Sequence, residues 1–253
     1  MAPKRKARLV PLAEAFAVQH PDQVDFGALV ESGAVFVDGR PVDNPSALVP
    51  LDASINVRAE VPLRGRAKLD AALAAFSVRV EGRVALDAGA AAGGFTTALL
   101  AAGARRVYAV DVGHGQLRGT LHQDPRVVVL ERTNIGALDA RVVPDVVDVV
   151  TLDLSYLSLA DAVPQLERVR FATDSDLVAL VKPMFELGLP EPPADDGSCL
   201  EAVRRARVAI GAGPWRVAAT MESPARGARG AVEFLLHAHR NAAPPSLHRA
   251  SAS

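Results

Sequence analysis

The sequence predicts an α/β protein, a largely parallel sheet covered by helices, preceded by a small α+β unit. Three observations carry this. Seven short runs rich in β-branched residues recur between Arg83 and Ala238, several apolar on both faces, as strands buried under helices must be. Helical stretches such as FTTALLAAGA and LEAVRRARVAI alternate with them, the pattern of βα units. Before Glu60 the text instead reads helix, helix, hairpin, strand within about 50 residues, too short for more than a satellite domain.

Residues 1–8, MAPKRKAR, are a basic tail. A helical run through Leu12, Phe16 and Val18 follows, then a second through Phe26, Leu29 and Val30 that ends at Gly33. AVFVDGRPV alternates apolar residues at Val35, Val37 and Val42 around Asp38-Gly39, a strong hairpin signal, and SINVRAE supplies a strand to close the small sheet. Residues 1–60 are therefore expected to form one domain, 61–66 a linker, 67–240 a second domain opened by the helix KLDAALAAF, and 241–253 a frayed tail. The strands of the second domain are expected in RVALDAG, RVYAVD, RVVVLERT, DVVDVVTLDLS, DLVALVKP, WRVAAT and VEFLLHA. The Pro- and Asp-rich stretch from Leu187 to Gly197 reads as a covering loop.

Composition excludes several classes. At 49% hydrophobic and 23% charged the chain can close a sizeable core and is not a disordered one. Its longest apolar stretches fall far short of the roughly 20 residues that cross a bilayer, so a soluble, cytoplasmic protein is expected. Cys199 stands alone, which excludes an internal disulfide or a thiolate cage. His237 and His239 share one face of a strand, but with no third ligand in the neighbouring text no metal is expected. A net charge of −1 leaves nucleic-acid binding to local patches.

Chemistry is marked by lysine. Of 28 basic residues only four are lysines, and outside the N-terminal tail only Lys68 and Lys182 remain. An ammonium can orient or exchange a proton where a guanidinium cannot, so isolated lysines in an arginine-rich chain point to a site. Asp87 ends the first strand and leads into the turn AGAAAGGFT, where Gly89, Gly93 and Gly94 let backbone approach a ligand and a helix N-terminus follows. Asp111 ends the second strand, where a doubly wound sheet places the carboxylate that grips a ribose diol. Thr133 and Asn134 follow the third strand, Asp153 and Ser155 the fourth, and Lys182 the fifth, so independent segments converge on one crevice. Lys182 within LVALVKPMF needs a carboxylate partner, and Asp153 on the adjacent strand is the natural one; a purely structural ion pair is the other reading.

From Leu63 to about His239 these motifs resemble the TlyA (haemolysin A) family of S-adenosylmethionine-dependent rRNA 2′-O-ribose methyltransferases, relatives of the FtsJ type. LRGRAKL is similar to the family's S-R-G-x-x-K-L, DAGAAAGGFT to D-x-G-A-S-T-G-G-F-T, and DVGHGQL to D-V-G-Y-G-Q-L. DPRVVVLERTN matches throughout, DLSYLS corresponds to D-L-S-F-I-S, VKPMFE to V-K-P-Q-F-E and GAVEF to G-N-V-E-Y.

The resemblance implies a Rossmann-like methyltransferase sheet with S-adenosyl-L-methionine as cofactor. It places a catalytic tetrad on Lys68, Asp153, Lys182 and Glu233, with Lys182 aligning the acceptor hydroxyl and meeting its proton, Asp153 and Glu233 orienting Lys182, and Lys68 positioning the acceptor. It implies cofactor contacts from Asp87, Gly89, Gly93, Gly94, Phe95, Thr96, Asp111, Thr133 and Asn134. It also implies an S-four-like RNA-binding domain at the N-terminus and ribosomal RNA or a ribosomal subunit as partner. The chain departs from the pattern at Arg66, Ala91, Ala92, Met184 and the loop LGLPEPPADD. Between Leu9 and Glu60 two arginines face eight acids, a poor phosphate-binding balance. A small-molecule acceptor, or a protein that binds the cofactor without turnover, is therefore the alternative. Arg226 and Arg229, just before Glu233, form either a solvated loop or an acceptor-binding one.

Overall fold

A computed structural model describes residues 8–21, 26–31, 34–42, 44–57 and 63–240. The chain divides into two compact units, Met1–Pro62 with Arg118–Gln123, and Leu63–Leu117 with Asp124–Ser253.

The first unit carries β1 (Leu9–Pro11), α1 (Leu12–Gln19), α2 (Phe26–Glu31), β2 (Val35–Val37), β3 (Arg40–Pro41), β4 (Leu48–Pro50) and β5 (Ile55–Val57). Asp38 and Gly39 both take positive φ, 48° and 80°, the geometry of the tight hairpin turn their sequence signals. The β2/β3 hairpin forms as expected, and β5 pairs antiparallel with β2 to complete a three-stranded sheet. Leu12, Phe16, Val30, Val35, Val49 and Ile55 are buried in one small core. Val18, expected on the apolar face of α1, is instead exposed. Gly33, the basic tail before Arg8, and Arg58 to Glu60 at the end of SINVRAE lie outside the described residues.

The second unit opens with α3 (Arg64–Ala75), which begins inside the stretch expected as a linker, with Leu63 at its N-cap and no capping side chain. Then follow β6 (Val84–Ala88), α4 (Gly94–Ala101), β7 (Arg106–Val110), α5 (Gly119–Gln123, which falls in the first unit), β8 (Val127–Leu130), β9 (Val147–Leu152), α6 (Leu159–Ala162), β10 (Phe171–Val181), α7 (Pro183–Leu187), α8 (Asp196–Gly211), β11 (Trp215–Glu222) and β12 (Phe234–Arg240). Each strand overlaps one of the seven runs, with β10 starting five residues before its run. The Pro-rich loop is shorter than expected, because Asp195 caps α8 by accepting from Ser198 N at 2.8 Å.

The seven strands form one sheet in the order β11-β12-β10-β9-β6-β7-β8, parallel except for β12, which runs antiparallel to both neighbours. From the central β6 the chain builds outward to β8, then returns to β9 on β6's other side. That reversal opens a crevice at the carboxyl ends of β6 and β9. Every residue of β6 is buried, as a doubly covered parallel strand requires. A core cluster runs through Leu86, Val150, Ala179 and Leu236 and is closed by Ala206 and Ile210 of α8. No helix among the described residues is long and apolar enough to cross a membrane.

Candidate active site

The glycine-rich turn sits at the reversal point. Gly89 has φ +89°, and a Cβ there would lie 2.3 Å from the carbonyl oxygen of Asp153. Only glycine lets β6 run this close to the end of β9, where Asp153 N donates to Ala88 O at 2.9 Å. Gly93, at φ +90°, turns the chain into α4. Gly94 touches Gly65, its would-be Cβ 3.0 Å from the Gly65 Cα, so α3 crosses the start of α4 at close range. That crossing carries Lys68, one turn later on α3, to the crevice.

The cofactor positions divide by burial. Asp87 is fully buried; Thr96 Oγ1 donates to it at 2.6 Å and Thr151 Oγ1 at 2.9 Å. Burial pushes the Asp87 carboxyl up to about 6, against the lowering effect of both hydroxyls. Asp87, Phe95 and Thr96 are all buried, and the Asp87 carboxylate is held by hydroxyls at the foot of the turn. Asp111, half-buried at the end of β7, accepts from Ala91 N at 2.8 Å and Gly113 N at 2.7 Å, which ties the turn to its own loop. Thr133 donates to Glu131 O, and exposed Asn134 accepts from Gly136 N. Tyr156, which the sequence reading missed, is within electrostatic reach of Asp111: burial first, then the Asp111 charge, raises its hydroxyl above the usual tyrosine range.

The four tetrad positions come together in two ion pairs. Lys68 Nζ donates to Glu233 Oε2 at 2.5 Å. Lys182 Nζ meets Asp153 Oδ1 at 2.6 Å and donates to Ser155 Oγ at 2.7 Å. All four residues line one cavity of about 550 Å³, walled by Met184, Phe185, Pro190 and Pro192 on one side and by Arg226 and Arg229 on another. Asp153 is the partner the sequence assigns to Lys182. Glu233 differs: it was expected to orient Lys182, and the side chain it pairs with is Lys68. The cause is local, since Glu233 lies just before β12 and is held against Gly227, whose would-be Cβ falls 2.2 Å from Oε1. Ser155 reaches the site as its place after the fourth strand predicts, and Gly227 is a further part of it that sequence reasoning left unassigned.

The residues present fit S-adenosylmethionine. A cradle that a Cβ at Gly89 would fill, a helix N-terminus and a half-buried carboxylate at the next strand end are what a nucleoside-bearing cofactor with an amino-acid tail requires.

Comparison with known proteins agrees with this geometry. The model of the FtsJ-like methyltransferase family matches residues 62–240. The chain is 42% identical over 222 residues to the 16S/23S rRNA (cytidine-2′-O)-methyltransferase TlyA of Mycobacterium tuberculosis, covering 82% of this chain and 81% of that protein. It is 32% identical to the hemolysin A of Brachyspira hyodysenteriae, over 83% of this chain and 90% of that one. Among solved structures, a candidate hemolysin from Streptococcus thermophilus superposes with a TM-score of 0.68 at 28% identity, covering 94% of this chain and 91% of that one.

Proposed function

The chain belongs to the FtsJ-like methyltransferase family and, within it, to the TlyA (hemolysin A) group, and from that premise we propose that it methylates the 2′-hydroxyl of a ribose in ribosomal RNA. It is an S-adenosylmethionine-dependent methyltransferase. The observation that carries the finer reading is the convergence of Lys68, Asp153, Lys182 and Glu233 on one cavity, with Gly89 of the turn packed against the Asp153 carbonyl.

S-adenosylmethionine, when bound, supplies a methyl group on a positively charged sulfur. The turn Gly89–Gly94, Asp111 and the loop of Thr133 and Asn134 would hold it, with Asp87, Phe95 and Thr96 stiffening the turn from below. The protein's remaining task is to align the acceptor oxygen and handle its proton. Lys182, fixed by Asp153 and Ser155, is placed to orient that hydroxyl, and the proton released as the O–C bond forms passes to the Lys182–Asp153 pair. Lys68, held by Glu233, positions the acceptor from the other wall. Arg226 and Arg229 are suited to the phosphates flanking the acceptor ribose.

The small N-terminal unit fits an S-four-like RNA-binding role by its order of elements, while its eight acids leave the phosphate contacts to the basic tail and to the arginines of the cavity. We place the enzyme in the cytoplasm with the ribosome. The small-molecule alternative finds no support among the relatives.

Ribosomal subunits incubated with the full chain and methyl-labelled cofactor test this. The expected product is one 2′-O-methylated nucleoside in ribosomal RNA, with an affinity that falls steeply with salt. Label confined to bases, or none, would overturn the proposal.

A further inference from the structure

We infer that Asp176, His237 and His239 form a binding site for one divalent cation of the zinc type, apart from the methyl-transfer site. The sequence offered two histidines and no third ligand; the sheet supplies it. Asp176 on β10 stands directly opposite His239 on β12, and His237 is two residues away on the same face. His237 Nε2 lies 2.9 Å and His239 Nδ1 2.8 Å from the same oxygen, Asp176 Oδ1, and the three ligand atoms all fall within 4.8 Å of one another. Around a tetrahedral zinc with bonds of about 2.0–2.1 Å, ligand atoms stand ~3.3 Å apart, so the two contacts to Asp176 Oδ1 would lengthen by about half an ångström.

The surroundings match a metal site with a supporting shell. Arg83 Nη1 donates to Asp176 Oδ2 at 2.7 Å, which leaves Oδ1 facing the imidazoles for monodentate binding. Phe76 stacks on His237 with centroids 5.4 Å apart, fixing that ring. The two imidazoles stand at 76°, so they converge edge to face and do not stack. Asp176 and His237 are buried, whereas the His239 side chain is 54% exposed, which gives the ion an entry path and room for a water as fourth ligand. Arg83 pairs with both Asp174 and Asp176 and offsets their acidic charge. Hard cations, which need several oxygens, are therefore disfavoured, and an ion that bonds well to imidazole nitrogen is selected.

On loading, each imidazole gives up its contact with Oδ1 for a metal bond, and the proton on that nitrogen moves to the ring's other nitrogen or to solvent. Lys182 is six residues further on, just past the end of β10, ~20 Å at strand rise, so the ion would pin β10 to β12 and take no part in methyl transfer.

The test uses the full chain stripped with a chelator and titrated with Co²⁺ and Zn²⁺, beside His239→Asn, a substitution at an exposed position that leaves the fold intact. The expected result is one ion per chain, a tetrahedral Co²⁺ absorption band, and a thermal midpoint raised by Zn²⁺ in the parent protein. In His239→Asn the band is lost and affinity falls by more than the roughly 100-fold that losing a supporting hydrogen bond can cost. No stoichiometric binding by the parent protein, or equal binding by both, would overturn the proposal and leave a plain hydrogen-bonded cluster.

Discussion

The two ion pairs of the cavity are built from the same residue types but differ in what they face. Lys68 and Glu233 are nearly sealed, with side-chain exposures of 8% and 6%, and join segments 165 residues apart. Lys182 and Asp153 are more open, at 14% and 22%, and Lys182 also donates to the exposed Ser155. A sealed pair resists opening because either charge left alone is poorly solvated, whereas a half-open pair can add or exchange a partner at lower cost. The first pair is therefore placed to hold α3 and the loop before β12 in register while Lys68 positions the acceptor, and the second to meet the acceptor's proton.

Substitutions can break this distinction. The largest expected effect is Lys182→Ala, which lowers the single-turnover rate of methyl transfer about 10²–10⁴-fold while the denaturation midpoint moves little. Lys68→Met works in the other currency: it strands Glu233 and lowers stability by about 3–5 kcal/mol in urea unfolding. Adding Glu233→Leu to Lys68→Met restores most of that stability.

Much of the site was legible because strand ends in a parallel sheet point to one edge, so Asp111, Asp153 and Lys182 could be assigned to the crevice from their place after each run. The scarcity of lysine singled out Lys68 without any fold. What could not be read was pairing across the sheet. Glu233 goes to Lys68 because of how Gly227 packs on its carboxylate, a contact of the loop before β12 with no periodic signature. Asp176 reaches His237 and His239 only through the antiparallel register of β12, and the same text in a parallel strand would have separated them. Asp87 looked like a ligand-facing acid because it ends a strand, yet its oxygens turn inward to Thr96 and Thr151. The start of α3 was misplaced because a leucine, not a capping residue, precedes it.

A smaller effect sharpens the contrast on the more open wall. Glu186, buried on α7 just after Lys182, accepts from Leu159 N at 2.8 Å, and burial pushes its carboxyl up from 4.5 to about 7, with the Leu159 N–H opposing and the Asp161 charge adding. The folded protein therefore holds a proton that the unfolded chain sheds. Its contribution is full below pH 4.5 and is lost as pH rises through about 7, a span of about 3 kcal/mol. In Glu186→Gln, urea midpoints measured across that window should vary less with pH than in the parent protein, leaving the shallower dependence due to Asp87. Smallest of all is Ala91→Ser in the cofactor turn, within about 0.5 kcal/mol in stability, because the Ala91 backbone N–H makes the contact with Asp111. Gly89→Ala in the same turn is expected to cost far more, since its Cβ has no room beside Asp153.

The most direct test of the claim that both pairs serve one acceptor hydroxyl is the single-turnover methylation rate of ribosomal subunits at saturating cofactor. It would be measured for Lys182→Ala, for Lys68→Met with Glu233→Leu, and for all three substitutions together. Groups acting on one oxygen lose function as a unit, so the combined variant should be about as slow as the slower of its two parents. Losses that multiply would mean that the two pairs act independently, and would contradict the account.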